Sequence, residues 1–239
     1  MKITQDFFTR NDCYNTGRTI EVKGLMLHST AAPGVKAAEW KARWNKSYAK
    51  GETARQACVH AFVDDKDVIQ ALPWNHEGWH AGKGSKGSAN QTHIGVELCE
   101  PKGAVYNKNG TAFAKYDVKA LTPYFDKVYN NAVALFAFLC KEYNLNPLTD
   151  IICHKEGWRK GIACGHADVE HWFPLHGKSM DDFREDTAAA LAALRAADTA
   201  ASATQPRYRV QVGAFADRGK AQTLLARLRA AGFEGYIRT

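Results

Sequence analysis

The sequence predicts an α/β fold, a central β-sheet flanked by helices, followed by a small β-α-β module. Three observations predict it. Short apolar runs such as Leu25-Met26-Leu27 and Ile94-Gly95-Val96 have the length of buried strands and end at polar residues or breakers. Residues 122–143 instead repeat apolar side chains at helical spacing. After residue 195 the composition turns to Ala, Ser and Thr, and alternation resumes only at Tyr208, Val210 and Val212.

Residues 1–21 are polar, with an Asn11-Asp12 turn signal, and read as an arm packed on the domain. Residues 22–28 form a strand, broken by Ala31-Ala32-Pro33-Gly34. Residues 36–49 read as a helix whose Trp40, Trp44 and Tyr48 share one core-facing side. Residues 57–63 and 67–72 flank Asp64-Asp65-Lys66 as a β-hairpin. Residues 73–82 are rich in aromatics and histidine, and 82–87 form a glycine-rich loop able to border a cleft. Residues 93–100 are a strand with an acid, Glu97, inside its apolar run; acids are rarely placed there without a partner or a task. Thr122 suits an N-cap and Pro123 a first helical position, so the long helix is expected to start there. A short strand at 150–153 delivers His154, and an Ala-rich helix follows at 181–197. The tail is expected to hold a strand from 207, a helix over 217–231 and a second strand from 235.

The chain has 239 residues, enough for one substantial core plus an appendage. No apolar run is long enough to span a bilayer, so membrane insertion is not expected. The first residues lack an apolar signal segment, so synthesis in the cytoplasm is expected, with any export needing another route. Net charge of +7 suits an anionic polymer, but no basic run interleaved with aromatics marks a nucleic-acid face. The six cysteines include no CxxC pair and read as reduced, buried, small residues.

The chemistry concentrates in residues 151–174, which carry His154, Cys164, His166, Asp168 and His171. These side chains bind zinc or move protons, and a catalytic zinc needs three protein ligands with one position open. His28, at the end of an early strand, is the upstream partner, giving a His28, His154, Asp168 set. Cys164, His166 and His171 compete for the same role on spacing alone.

These residues resemble the type-2 N-acetylmuramoyl-L-alanine amidases, whose fold is shared with peptidoglycan-recognition proteins and phage lysozyme-like amidases. The resemblance rests on Leu27-His28-Ser29-Thr30, Val59-His60-Ala61-Phe62-Val63, Trp79-His80-Ala81-Gly82, Ile94-Gly95-Val96-Glu97 and His154 with His166-Ala167-Asp168, over residues 20–185. It implies a mixed central sheet, Zn2+ as cofactor, and hydrolysis of the amide between N-acetylmuramic acid and L-alanine in peptidoglycan. It implies His28, His154 and Asp168 as metal ligands and Glu97 as the acid that handles the attacking water. The family's third ligand follows a catalytic Lys by two residues; here that Lys position is His166. A histidine offsets an oxyanion by an N–H or when protonated, or else Arg159 or Lys160 reaches in. Trp79 and His80 are expected to line the substrate cleft.

Tyr208-Arg209-Val210-Gln211-Val212-Gly213-Ala214-Phe215 and the helix after it resemble the first half of a SPOR repeat, which binds glycan strands. The expected organisation is a zinc amidase domain at 1–195, a linker at 196–206 and a partial wall-binding module at 207–239, whose halves pairing would give a homodimer. The expected role is that of a phage or prophage endolysin. The alternatives are a non-catalytic peptidoglycan-binding protein and a cytoplasmic muropeptide-recycling amidase.

Overall fold

The computed structural model describes residues 2–204 and 210–238. The chain divides into two compact units, 1–198 and 199–239. In chain order the first unit runs β1 (Ile3–Gln5), α1 (Asp12–Asn15), β2 (Gly24–Ser29), α2 (Trp40–Trp44), β3 (Ala61–Val63), β4 (Val68–Gln70) and β5 (His93–Leu98). It continues with β6 (Val105–Tyr106), β7 (Phe113–Lys115), α3 (Val118–Glu142), α4 (Pro147–Asp150), β8 (Ile151–Cys153) and α5 (His154–Lys160). Helix α6 (Met180–Thr204) begins in this unit, and α7 (Arg218–Ala230) lies in the second.

One six-stranded sheet has the order β1-β4-β3-β5-β2-β8. Every pairing is parallel except β3 with β4, so the sheet is mixed. All six residues of β2 are buried, as a central parallel strand covered on both faces requires. On one face Leu25, Leu27, Ile94, Val96 and Leu98 pack against Phe125, Val128, Tyr129 and Phe136 of α3. Each such side chain contributes roughly 1.5–3 kcal/mol on burial. On the other, Trp40 stacks on Phe62 with centroids 4.9 Å apart.

The arrangement positions the site. β2, β5 and β8 run parallel, so their carboxyl ends share one edge, where open α/β sheets place ligands. His28 is the penultimate residue of β2, Glu97 lies opposite it on β5, and His154 follows β8.

Several expectations are corrected. The arm at 1–21 contributes β1, which adds to the sheet beside β4. The helix at 36–49 is a 3-10 turn at Ala37–Glu39 followed by a single short α-helix, so Tyr48 lies beyond its end and is exposed. Helix α3 starts a turn early because Asp117 caps it, accepting from the Ala120 N–H at 3.1 Å. Thr122 therefore bonds back to the Val118 carbonyl at 2.7 Å, and Pro123 sits inside the helix. Pro123 removes the bond to the carbonyl of Lys119, an exposed residue whose carbonyl can turn to water. The stretch 196–206, expected as a linker, is helical to Thr204, since alanine carries high helix propensity with little to bury. In the tail, residues 207–209 lie outside the described residues. Among the described residues, 210–215 and 233–238 form no strand.

Candidate metal centre and active site

The geometry at the edge of the sheet is fixed by a chain of imidazoles. Both ring nitrogens of His80 are committed: Nε2 meets the His93 carbonyl at 3.1 Å, and Nδ1 meets His28 Nε2 at 2.9 Å. A carbonyl only accepts, so His80 carries its proton on Nε2 and accepts at Nδ1. His28 must then donate from Nε2, which leaves a lone pair on its Nδ1. The same logic applies to His154, whose Nε2–H donates to the Cys164 carbonyl at 3.0 Å and frees Nδ1.

Those two free nitrogens face each other at 3.0 Å, and Asp168 Oδ2 lies 3.3 Å from the first and 3.9 Å from the second. Three acceptors converge on one point. Lone pairs so close repel unless a proton or a cation sits among them. Tetrahedral zinc with nitrogen and oxygen ligands near 2.0–2.1 Å would separate them by roughly 3.3 Å, close to the distances seen. The set therefore fits the metal, and in the metal-free protein protons share the space. Burial and the neighbouring His28 pull the His154 pKa down to about 3. Burial pushes Asp168 upward, but the hydrogen bond and field of His28 outweigh it and hold the carboxyl at about 2.

Glycines make room for the supporting rings. A Cβ on Gly95 would come within 2.5 Å of the His80 ring, and one on Gly78 within 2.7 Å of His80 and 2.9 Å of His60. Fully buried His60 accepts from the Gly95 N–H at 2.9 Å and donates to the His76 carbonyl at 2.9 Å. Burial drops its pKa to about 4, so it stays neutral.

Glu97 pairs in register with His28, so the two side chains leave the sheet on the same face. Its Oε2 is buried without a partner. Burial, with the charges of Asp168 and Glu100, pushes its carboxyl well above the ordinary range. Of the surrounding cations, Arg55 opposes that shift. A bound dication would oppose it further.

The other expected residues separate. His166 is exposed, with its ring centroid 4.5 Å from that of His154. Arg159 is held by Glu170 through two hydrogen bonds of 2.5 and 2.8 Å and does not reach the ligands. The charge of Lys160 acts on His93, at the far end of β5 from Glu97. Both nitrogens of His80 are taken, so it braces His28. The Trp79 backbone pairs with Cys58, and the half-buried side chain packs on the Cys13, Cys58 and Leu72 cluster. Cys164 and His166 form a second group with His154 whose donor atoms all lie within 4.8 Å of one another.

Sequence reasoning missed the group around Glu100. Its Oε1 accepts from the Tyr106 hydroxyl at 2.5 Å, and that oxygen accepts from His171 Nε2 at 2.8 Å. This engagement turns His171 away from the ligand role. Glu100 closes the strand expected at 93–100, so an acid beside Cys99 was a visible signal; Tyr106 lies in a stretch of sequence with no apolar periodicity and gave none. An open depression lined by Asp6, Arg10, Lys41 and Glu52 excludes the histidines, and its charges pair among themselves.

Comparison with known proteins places the chain in a family. Residues 18–172 match the family model described as N-acetylmuramoyl-L-alanine amidase, and residues 184–239 match the SPOR domain. The chain is 30% identical over 181 residues to the N-acetylmuramoyl-L-alanine amidase CwlH of Bacillus subtilis, covering 75% of this chain and 62% of CwlH. It spans less than two thirds of the curated relatives it matches. Among solved structures, the catalytic domain of XlyA superposes with a TM-score of 0.54 at 26% identity, covering 78% of this chain and 99% of that one. A mutant endolysin from Bacillus subtilis superposes with a TM-score of 0.51 at 27% identity, with the same coverage. Matched by the family model over most of its length and alike in fold to a solved catalytic domain, the chain belongs to the N-acetylmuramoyl-L-alanine amidase family, with a SPOR match at its C-terminal end.

Proposed function

We propose that the protein is a zinc-dependent amidase that cuts the bond between the lactyl group of N-acetylmuramic acid and the L-alanine of the stem peptide, acting as a phage or prophage endolysin. The observation that carries this reading is the convergence of three acceptor atoms, from His28, His154 and Asp168, beside the unpartnered carboxyl oxygen of Glu97. Zinc held by those three residues would supply a Lewis acid that polarises the scissile carbonyl and acidifies water.

The remaining work falls to the chain. Glu97 Oε2 takes the proton of the attacking water and hands it to the leaving amine. His166, on the exposed side of His154, offers an N–H to the developing oxyanion. His80 and His60 act through His28, holding its Nδ1 aimed at the metal. The amidase activity is supported by likeness to CwlH, and the endolysin role by likeness to the Bacillus subtilis endolysin structure. Among the described residues no helix is long and apolar enough to cross a membrane. The domain arrangement of this proposal keeps the amidase at 1–195 and a wall-binding partial module at 207–239. The exposed Val210, Val212, Phe215, Phe233 and Tyr236 are the surface through which two such modules would pair as a homodimer.

The test is release of new L-alanine amino termini from purified peptidoglycan, with chelator and after zinc is restored. Termini that vanish with chelator and return with zinc are expected. Zinc binding without new termini would leave a wall-binding protein, and cleavage of soluble muropeptides alone would leave a recycling enzyme.

A further inference from the structure

The second donor group shares a ring with the first. His154 presents Nδ1 to His28 and Asp168, and Nε2 to Cys164 and His166. Cys164 Sγ lies 3.5 Å from His154 Nε2. Tetrahedral coordination with a metal–sulfur bond near 2.3 Å and a metal–nitrogen bond near 2.0–2.1 Å separates those two atoms by about 3.6 Å. The thiol is also braced: the Cys164 N–H donates to the Ala81 carbonyl at 2.9 Å, and a Cβ on Gly82 would come within 2.7 Å of Sγ. His166 supplies the third donor from the exposed side. Sulfur with two imidazoles is a softer set than two imidazoles with a carboxylate.

We propose that Cys164, His166 and Nε2 of His154 form a second cation site, selective for soft divalent metals, and that filling it excludes zinc from the His28, His154 and Asp168 set. It rests on the zinc set proposed above. The exclusion follows from the chemistry of one ring. A neutral imidazole has a single lone pair. When Nδ1 is a ligand the proton sits on Nε2, where it donates to the Cys164 carbonyl. For Nε2 to become a ligand that proton must move to Nδ1, and Nδ1 then no longer coordinates. The ring itself neither gains nor loses a proton in the exchange. The Cys164 thiol loses its proton to solvent as the sulfur–metal bond forms, and the displaced zinc leaves hydrated. Occupation of this second site also removes His166 from the oxyanion, so soft cations are expected to inhibit by two routes.

The test uses the full chain. Zinc-loaded protein is titrated with Cd2+ while thiolate-to-cadmium absorption is followed in the ultraviolet and released zinc is read with a chromogenic indicator. One thiolate band per chain is expected, growing in step with release of zinc. Cys164→Ser should lose the band and keep its zinc. His166→Ala, at an exposed ring, should weaken cadmium binding by more than the roughly 10–100-fold that loss of an outer partner costs a metal ligand, and it tests the site even where the Cys164 variant folds poorly. Absence of the band, or an equal band in Cys164→Ser, would overturn the site. A full band with zinc retained would overturn the exclusion. Zinc stoichiometry before cadmium is added tests the His28 set by itself, so the two readings fail in different measurements.

Discussion

Two groups of polar side chains meet at one edge of the sheet and are built in opposite ways. In the first, His60 and His80 have a hydrogen-bond partner at both ring nitrogens, and His28 and His154 have one at Nε2, leaving each Nδ1 to face the other and Asp168. In the second, Ser29 Oγ, Thr30 Oγ1, Glu97 Oε2, Glu100 Oε2 and His171 Nδ1 are buried with no hydrogen-bond partner among the described residues. A buried polar atom without a partner costs about 1–3 kcal/mol, so several at one edge of a sheet are a concentrated expense. The difference teaches where the rigid template ends and the reaction space begins. Saturated rings such as His60 and His80 cannot take a ligand themselves and serve to aim the ring that does. Unsaturated oxygens are completed by what enters, whether water or substrate.

The sharpest way to break this comparison is at Glu97. Glu97→Gln keeps the shape and removes the base, so kcat for release of amino termini should fall by about 10²–10⁴-fold with zinc content unchanged. Loss of zinc together with activity would move Glu97 into the template. The next effect is one of pH. His60 is neutral in the fold with a pKa of about 4, against 6.5 ordinarily. The unfolded chain therefore takes up a proton that the fold refuses. The associated stability is present above pH 6.5 and is lost as pH falls through the window to about 4. Over the whole window the loss is about 3 kcal/mol. Urea unfolding across that range should show a shallower acid slope for His60→Gln than for the parent chain; equal slopes would show that His60 does not carry it.

Two smaller changes sharpen the line between the groups. Tyr106→Phe strips Glu100 of its one hydroxyl donor and should cost about 1–3 kcal/mol in unfolding free energy while leaving zinc affinity alone. His80→Ala frees the His28 ring and should weaken zinc by about 10–100-fold, measured by competition with a chelator, with little change in kcat once zinc saturates. Unaltered zinc affinity in His80→Ala would remove the bracing role.

What the sequence made legible follows the same division. His28, Glu97 and His154 were readable because each sits at or near the end of a short apolar run, and parallel strands bring such ends together. Asp168 was readable through the resemblance of its His166-Ala167-Asp168 segment. The bracing of His28 was not readable, because His80 looks the same in sequence whether its nitrogens face a cleft or a neighbour. The Glu100, Tyr106 and His171 group was hidden by distance, since Tyr106 and His171 are 65 residues apart and meet only when the β6–β7 hairpin packs on the ligand loop. The start of α3 went astray because Thr122-Pro123 carries a strong local signal, yet the cap at Asp117 and the exposed Lys119 carbonyl tolerate a proline within. The linker went astray because alanine, which buries little, still prefers the helix.

His28 and Asp168 are separated by 140 residues, and β8, which carries His154 into place, is an outer strand of the sheet. No nascent chain that stops short of Asp168 can assemble the ligand set. All the strands of the sheet precede Asp168 in the chain, so the last of the three proposed ligands follows its whole scaffold. On the proposed zinc reading, the moment at which the chain can first close around a metal is thus set by connectivity alone, by when Asp168 emerges.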